Sequence, residues 1–384
     1  MRLGISGFFW NRGATGSGQY THQLVRGLSR LPNGPQLLLF RAENEEDQGR
    51  VPDARGEMQE RVLGSPVPLT RNLFKVWFEQ VALPRACRNE GVDLVHVPYF
   101  APPLVAGTKA VVTIHDLIPL VLPAYRESAW VRLYTRLVTA GARRAAAIVT
   151  DSRSSRDDIL HLLGVPSSRV HLVHLAADEA FRPVADGKQV ERVRERYGLP
   201  RQYVLYLGGF DQRKNLGTLL AAYATLGKDV SGRAKLVIAG QLPSRDTDFF
   251  PDPRRQVQTH GLGDRVIFLG WVPEEDKPAL YSGATLFVYP SLYEGFGLPV
   301  LEAMCCGTAV IASNSASLPE IAGNAAVLFD PHDVEGLAEA INALLQHPDR
   351  RERLAAKGLD RARFFSWEKT VAQTIEVYES VIGK

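Results

Sequence analysis

"TLFVYPSLYEGFGLPVLEAMCCGTAVIAS", residues 285–313, decides the fold. It opens on an apolar run, "TLFVYPS", and passes through a glycine-rich loop, "LYEGFG". It continues as "PVLEAMCC" and returns to a second apolar run, "TAVIAS". Short apolar runs without alternation mark strands buried on both faces of a parallel sheet. Pro299 suits the first turn of a helix, where its missing N–H costs nothing, and Gly307 can end that helix. The segment therefore reads as strand, loop, helix and parallel strand. Glu294 lies in the loop and Glu302 about one turn inside the helix.

The same rhythm runs along the chain. "RLGIS", "QLLLF", "DLVHV", "AVVTI" and "AAIVTDS" read as buried strands, with amphipathic helices such as "YTHQLVRGLSRL" between them. The rhythm weakens at the polar, proline-containing stretch 174–189, and then restarts with "YVLYLGGF", "AKLVIAG", "RVIFLG" and "AVLFD". A chain of 384 residues exceeds what one core usually serves. The expected fold class is α/β, with two Rossmann-like, doubly wound parallel-sheet domains facing a cleft. The expected boundaries are 1–178 for the first domain and 179–365 for the second. The segment 366–384 forms a last helix, with Val371, Ile375, Tyr378 and Ile382 along one side, crossing back to the first domain.

Composition narrows the function. Hydrophobic residues make up 45% and charged residues 23%, an ordinary soluble balance. The net charge of +3 is too small to argue nucleic-acid binding. The N-terminal apolar run is too short for a signal peptide, and nothing approaches the roughly 20 apolar residues of a membrane span. Cys87, Cys305 and Cys306 form no disulfide framework and no zinc pattern. A cytoplasmic protein is expected, peripheral at most to the inner face of a membrane. Residues 126–144 carry Arg126, Arg132, Arg136, Arg143 and Arg144 against Glu127, with Trp130 and Tyr134 interleaved. Such a face suits anionic lipid, and equally suits a solvated helix with its aromatics turned inward.

Ligands of open α/β sheets bind beyond the carboxyl ends of the strands, so the residues after each strand are the candidates. After the first strand, Gly13, Gly16, Ser17 and Gly18 form a flexible turn, with a helix beginning near Gln19. Thr21 replaces the third glycine of a dinucleotide fingerprint, which disfavours an oxidoreductase. After "AVVTI" stand His115 and Asp116; the histidine either meets a ligand or satisfies local backbone groups. After "YVLYLGGF", Gly209 is followed by the cation pair Arg213 and Lys214, suited to a diphosphate. Asp246-Thr247-Asp248 is a D-x-D that could hold Mg²⁺, but it lies in a proline-rich loop, and no metal is assigned.

The E-x₇-E pair Glu294 and Glu302, set in "EGFGLPVLEAMCCGTAVIAS", resembles the signature of retaining GT-B glycosyltransferases of family 4. Arg213-Lys214-Asn215, Gly16-Ser17-Gly18, His115 and "LPEI" (318–321) are similar to further family motifs. The segment Ala316-Ser317-Leu318 departs from the glycine many members carry before that proline.

The resemblance implies roles at matching positions. Arg213 and Lys214 would grip the diphosphate, and Glu302 would accept from ribose hydroxyls. Glu294 and the backbone of Gly295, Phe296, Gly297 and Leu298 would hold the transferred hexose and phosphate, with His115 against the sugar. The base would lie near Trp271 and Val272, and Ser17, Gln19 and Asp116 would face the acceptor. The catalytic set would be His115, Arg213, Lys214 and Glu294, with no cofactor. Loss of either cation should weaken transfer and leave folding little changed, since both lie at a strand end. The glycine loop with "QYTHQLVRGL" is similar to that of bacterial mannosyltransferases, which favours GDP-mannose as donor and a glycan or lipid-linked acceptor. A UDP-sugar donor, a nucleotide-sugar 2-epimerase, a sugar phosphorylase and a two-lobed binding protein are the alternatives.

Overall fold

The computed structural model describes residues 1–12, 15–43, 58–126, 128–227 and 234–383. The chain divides into two compact units, Met1–Leu175 with Trp367–Lys384, and Ala176–Ser366.

The first unit is built on a seven-stranded sheet in the order β3-β2-β1-β4-β5-β6-β7. Its strands are Arg2–Gly7 (β1), Gln36–Ala42 (β2), Gln59–Leu63 (β3), Leu94–Val97 (β4), Lys109–Thr113 (β5), Ala147–Thr150 (β6) and Val170–Leu172 (β7). Every pairing is parallel, with Ile5 facing Leu39 on one side and His96 on the other. Leu3, Ile5, Leu38, Phe40, Val95, Val111, Val112 and Ile148 are buried, as expected for strands covered on both faces.

The helix Trp367–Ile382 packs on this unit. It meets the helix Gly16–Ser29 at Gly27, where a Cβ would come within 2.3 Å of Val371 Cγ2. Thr370 Oγ1 donates to the His174 carbonyl at 2.7 Å, and Lys109 Nζ to the Val381 carbonyl at 2.7 Å. Its buried stripe is Val371, Thr374, Val377, Tyr378 and Val381. The expected stripe included Ile375 and Ile382, but Ile382 is exposed. Thr374 goes inside because its hydroxyl is satisfied by the Thr370 carbonyl one turn back.

The second unit holds a six-stranded parallel sheet in the order β10-β9-β8-β11-β12-β13. Its strands are Tyr203–Leu207 (β8), Lys235–Ala239 (β9), Val266–Gly270 (β10), Leu286–Tyr289 (β11), Val310–Ser313 (β12) and Ala326–Phe329 (β13). The opening segment folds as read: β11, a loop, the helix Leu298–Cys305 with Pro299 in its first turn, then β12. Gly307 follows the helix with φ +73°, a left-handed conformation glycine adopts without strain.

In each sheet the strand order reverses direction once. The reversal falls between β1 and β4 in the first and between β8 and β11 in the second. Loops leaving neighbouring strands at such a point diverge and open a crevice. In the second unit those loops are 208–215 and 290–297, so topology alone brings Arg213 and Lys214 to Glu294.

Candidate active site

Arg213 and Lys214 sit on a 3₁₀ turn, Gln212–Lys214, directly after β8. The next residue, Asn215, adopts a left-handed φ of +54° that asparagine tolerates. Its side-chain amide donates to the carbonyls of Pro290 (3.0 Å) and Pro331 (2.7 Å), tying the two loops together. Glu294 is then clamped. Lys214 Nζ lies 2.7 Å from its Oε1, Arg213 Nη1 lies 2.8 Å from its Oε2, and the Tyr289 hydroxyl donates to Oε1 at 3.0 Å. Lys214 also donates to Tyr289, and Arg213 Nε pairs with Asp211 at 3.1 Å. Burial alone would raise the Glu294 carboxyl, but the charges of Lys214 and Arg213 hold it at about 2. The three side chains thus form a buried ion cluster, with both cations on one carboxylate.

The glycines of the loop have separate duties. Gly297 has φ +105°, and a Cβ there would approach Leu318 Cδ2 to 2.6 Å. Gly295, Phe296 and Leu298 complete the turn, with Phe296 buried against the Phe365 ring. Ser317 Oγ reaches the carbonyls of both Glu294 (2.9 Å) and Phe296 (2.7 Å) and pins the loop from below. Ala316, at the departure from the family glycine, has φ +49°: the backbone keeps the glycine-type conformation with an alanine in it.

Glu302 occupies a different environment. It is buried inside the helix Leu298–Cys305 and accepts from the Tyr281 hydroxyl at 2.9 Å. Burial pushes its carboxyl up to about 7, offset in part by the charge of Lys277. Trp271, just after β10, is 56% exposed while its neighbour Val272 is buried. An indole held open beside a buried anchor can stack on a planar base. Gly209 is exposed, and its carbonyl accepts from the buried Tyr206 hydroxyl at 2.5 Å.

Asp246 pairs with Arg255 at 2.9 Å and accepts the Asp252 N–H at 2.8 Å, so it folds its own loop. Among the described residues no three His, Cys, Asp or Glu side chains are placed to hold a metal ion.

In the first unit, the helix expected near Gln19 begins at Gly16, because Thr15 caps it by accepting from the Gly18 N–H at 3.2 Å. Gly18 is required there: a Cβ would lie 2.2 Å from the Arg12 carbonyl oxygen. Ser17 and Gln19 are half-exposed in this first turn. Gly13 lies outside the described residues, as does Glu127. His115 follows β5, and Asp116 Oδ1 accepts the Ile118 N–H at 3.0 Å, which makes Asp116 the cap of a turn. His115 Nδ1 lies 2.5 Å from Oδ2 of Asp151, which follows the neighbouring strand β6.

Of the two aromatics of the arginine-rich segment, Tyr134 turns inward, as one of the two readings of that helix had it. Its hydroxyl donates to the buried Glu79 at 2.8 Å, and Glu79 in turn pairs with Lys75 at 2.7 Å. A polar tip that finds a buried acid stays inside. Trp130 and Leu133 do remain exposed.

Sequence reasoning missed Asp151, Tyr289, Tyr281 and Asp211. Asp151 follows a strand, and the rule that singled out His115 applies equally to it. The two tyrosines carried no signal, since each reads as an apolar residue of a buried run.

Comparison with known proteins identifies the family and the fold. Residues 189–361 match the family described as "Glycosyl transferases group 1", and residues 14–181 match "Glycosyltransferase Family 4". The O-antigen chain mannosyltransferase B of Escherichia coli is 34% identical over 95% of this chain and 96% of its own. The serotype-specific mannosyltransferase WbdA of E. coli is 32% identical over 71% of this chain, which spans about a third (34%) of that protein. The sucrose-phosphate synthase of Thermosynechococcus elongatus superposes with a TM-score of 0.79 at 25% identity, covering 100% of this chain and 99% of its own. Two parallel-sheet units of this kind are the GT-B fold, and the enzyme is a glycosyltransferase. The chain belongs to glycosyltransferase family 4.

Proposed function

We propose that this glycosyltransferase moves mannose from GDP-mannose to a hydroxyl of a glycan or lipid-linked acceptor, with retention of configuration and without a metal. The Arg213–Lys214–Glu294 triad at the β8/β11 switch point carries the reading of the donor as a nucleotide diphosphate sugar. The likeness to a mannosyltransferase along nearly the whole chain supports the sugar.

The chemistry is the departure of a diphosphate. The bond from the anomeric carbon to the phosphate oxygen breaks as the acceptor oxygen bonds to that carbon on the same face. The acceptor's proton passes to the departing phosphate oxygen. Negative charge grows on the phosphate, and Arg213 and Lys214, already charged and fixed, stabilise it without reorganising. Glu294 keeps both cations in place and meets the transferred sugar. Glu302 accepts from the ribose, and Trp271 stacks on the base.

The test is a nucleotide-sugar binding screen followed by transfer assays on glycan and lipid-linked acceptors, with excess EDTA present. GDP-mannose should bind, transfer should survive the chelator, and the product's anomeric coupling should match the donor's. Turnover of donor without acceptor would favour an epimerase or phosphorylase, and selective use of UDP-sugars would move the donor. Inversion, or activity restored only by Mg²⁺ or Mn²⁺, would overturn the mechanism.

We place the enzyme at the cytoplasmic face of a membrane, in keeping with its three unpaired thiols. The surface that supports this contact is the helix Ala129–Arg144, which exposes Trp130 and Leu133. Beside it, Arg126, Arg132, Arg136 and Arg143 line a groove of about 590 Å³. Apolar side chains flanked by arginines suit anionic lipid. Co-sedimentation with vesicles should rise with anionic lipid content, and a flat response would remove the contact.

A further inference from the structure

Beyond β5 and β6 lies a histidine–carboxylate pair. His115 Nδ1 and Asp151 Oδ2 are 2.5 Å apart, and Asp151 is buried, with its side chain 1% exposed. Asp151 precedes the helix Arg153–Leu163, whose Ser152 cap accepts from the Ser155 N–H at 3.1 Å. The positive end of that helix favours a carboxylate there. Ser155 Oγ donates to the His115 carbonyl at 2.8 Å, so the same helix holds the backbone of the histidine.

The ring is fenced on its other sides. Tyr20, from the helix Gly16–Ser29, stands edge-on with ring centroids 4.9 Å apart. The Tyr20 hydroxyl is 3.1 Å from Thr113 Oγ1, which is 2.7 Å from His96 Nε2. His96 Nδ1 is 2.5 Å from the Tyr378 hydroxyl on the last helix. Burial, with the charge of His115, lowers the His96 pKa to about 3, so His96 stays neutral. The two imidazoles therefore differ: one lies in a neutral hydroxyl chain, the other faces a carboxylate. His115 Nε2 is enclosed, the Pro98 carbonyl also bonds to the ring, and 21% of the side chain is exposed.

We propose that Asp151 is the positioning residue of His115: its carboxylate accepts the hydrogen bond from Nδ1–H, fixes the flip of the ring and holds the exposed part of the imidazole in place against the bound sugar. The catalytic consequence rests on the transfer reaction proposed above; the pairing itself does not. The groups facing His115 agree on the sign of the effect. Burial alone would lower its pKa, but the charge and hydrogen bond of Asp151, the charge of Asp116 and the Pro98 carbonyl raise it overall. Below that raised pKa the ring is an imidazolium and Nε2 donates. Above it the neutral ring keeps its proton on Nδ1.

The test uses the full chain with ¹⁵N-labelled histidine, and His115→Gln assigns the resonances. His115 should titrate above the ordinary value of about 6.5 and, once neutral, carry its proton on Nδ1. Asp151→Asn should lower the midpoint by at least one pH unit. A neutral ring protonated on Nε2, or an unchanged midpoint, overturns the pairing. Should Asp151→Asn fail to fold, the tautomer of the unmutated protein decides alone. In the transfer assay, Asp151→Asn should lower kcat by about 10² with little change in donor KM. The high-pH fall of kcat should move to lower pH, and Asp151→Glu should recover part of the rate. A normal kcat and pH profile in Asp151→Asn would overturn the positioning role. Failure of every nucleotide sugar to support transfer would instead remove the proposed reaction, and the NMR result would still decide the pair.

Discussion

Glu294 and Glu302 belong to one strand–loop–helix segment, and both are 8% exposed, yet their electrostatics are opposite. Two cations hold Glu294 ionised at about 2, whereas burial with a tyrosine donor leaves Glu302 at about 7. Burial is equal, so the partners decide. The loop acid belongs to an ion cluster that exists before any ligand arrives. The helix acid is poised so that a hydroxyl donor can draw it into the charged form. One segment thus carries both a carboxylate held charged by its partners and one whose charge a new hydrogen-bond donor could change; on the proposed reading the first lies nearer the departing diphosphate.

The comparison breaks most severely if the ion cluster is dismantled. Lys214→Ala should lower kcat by at least about 10², since it removes charge from beside the departing diphosphate. A location at a strand end suggested that folding would hardly change, but burial overturns that expectation: Lys214 is 8% exposed and Glu294 depends on it. Breaking a buried pair costs about 3–5 kcal/mol, and Arg213 remains to limit the loss to about 2–3. Denaturant melts and steady-state rates on one preparation would separate the two effects. Near-normal turnover would sink the assignment.

Substitution of each acid sharpens the contrast. Glu294→Ala should act mainly on kcat, because it frees the two cations that meet the reacting centre. Glu302→Ala should raise donor KM by about tenfold with a smaller change in kcat, as loss of a contact kept in ground and transition states alike does. The reverse ranking would exchange the two roles.

The pH dependence of Glu302 follows with a definite sign. Its folded pKa of about 7 lies above the ordinary 4.5, so the folded state holds a proton that the unfolded chain releases. Stability from this group is complete below about 4.5 and is lost as pH rises through about 7, by up to about 3 kcal/mol. Glu302→Gln should abolish that slope, read as unfolding free energy at pH 5 and pH 8. Donor binding to the unmutated protein should release protons near pH 7, measurable by calorimetry in buffers of different ionisation enthalpy. Equal heats in all buffers would mean that no donor hydroxyl reaches this carboxyl.

Much of this was legible in the sequence, for a topological reason. Parallel strands send their following loops to one edge, so Arg213, Lys214 and Glu294 could be grouped from strand ends alone, and the β8–β11 adjacency joins them. The partners were not legible. Tyr289 reads as one more apolar strand residue, and only the fold turns its hydroxyl onto both Lys214 and Glu294. Asp151 stands at a strand end as plainly as His115, but that β6 lies beside β5 is a fact of strand order. Tyr134 went inward because Glu79, 55 residues away in the chain, offered its carboxylate. A helical periodicity carries no record of such a partner.

The smallest effect tests how the loop acid is held. Ser317 fixes the carbonyls of Glu294 and Phe296, and the residue before it, Ala316, sits at φ +49°. A left-handed conformation costs a residue with a Cβ roughly 1 kcal/mol, and glycine avoids that cost while giving back part of it as unfolded-state entropy. Ala316→Gly should therefore stabilise the protein by about 0.5 kcal/mol, a rise of about 1–2 °C in Tm. Ser317→Ala should do the opposite and lower kcat together with Glu294's hold on the cations. If Ala316→Gly lowers Tm instead, the left-handed turn is not the conformation that this segment keeps in solution. The loop carrying Glu294 would then lack the anchor that distinguishes it from the helix carrying Glu302.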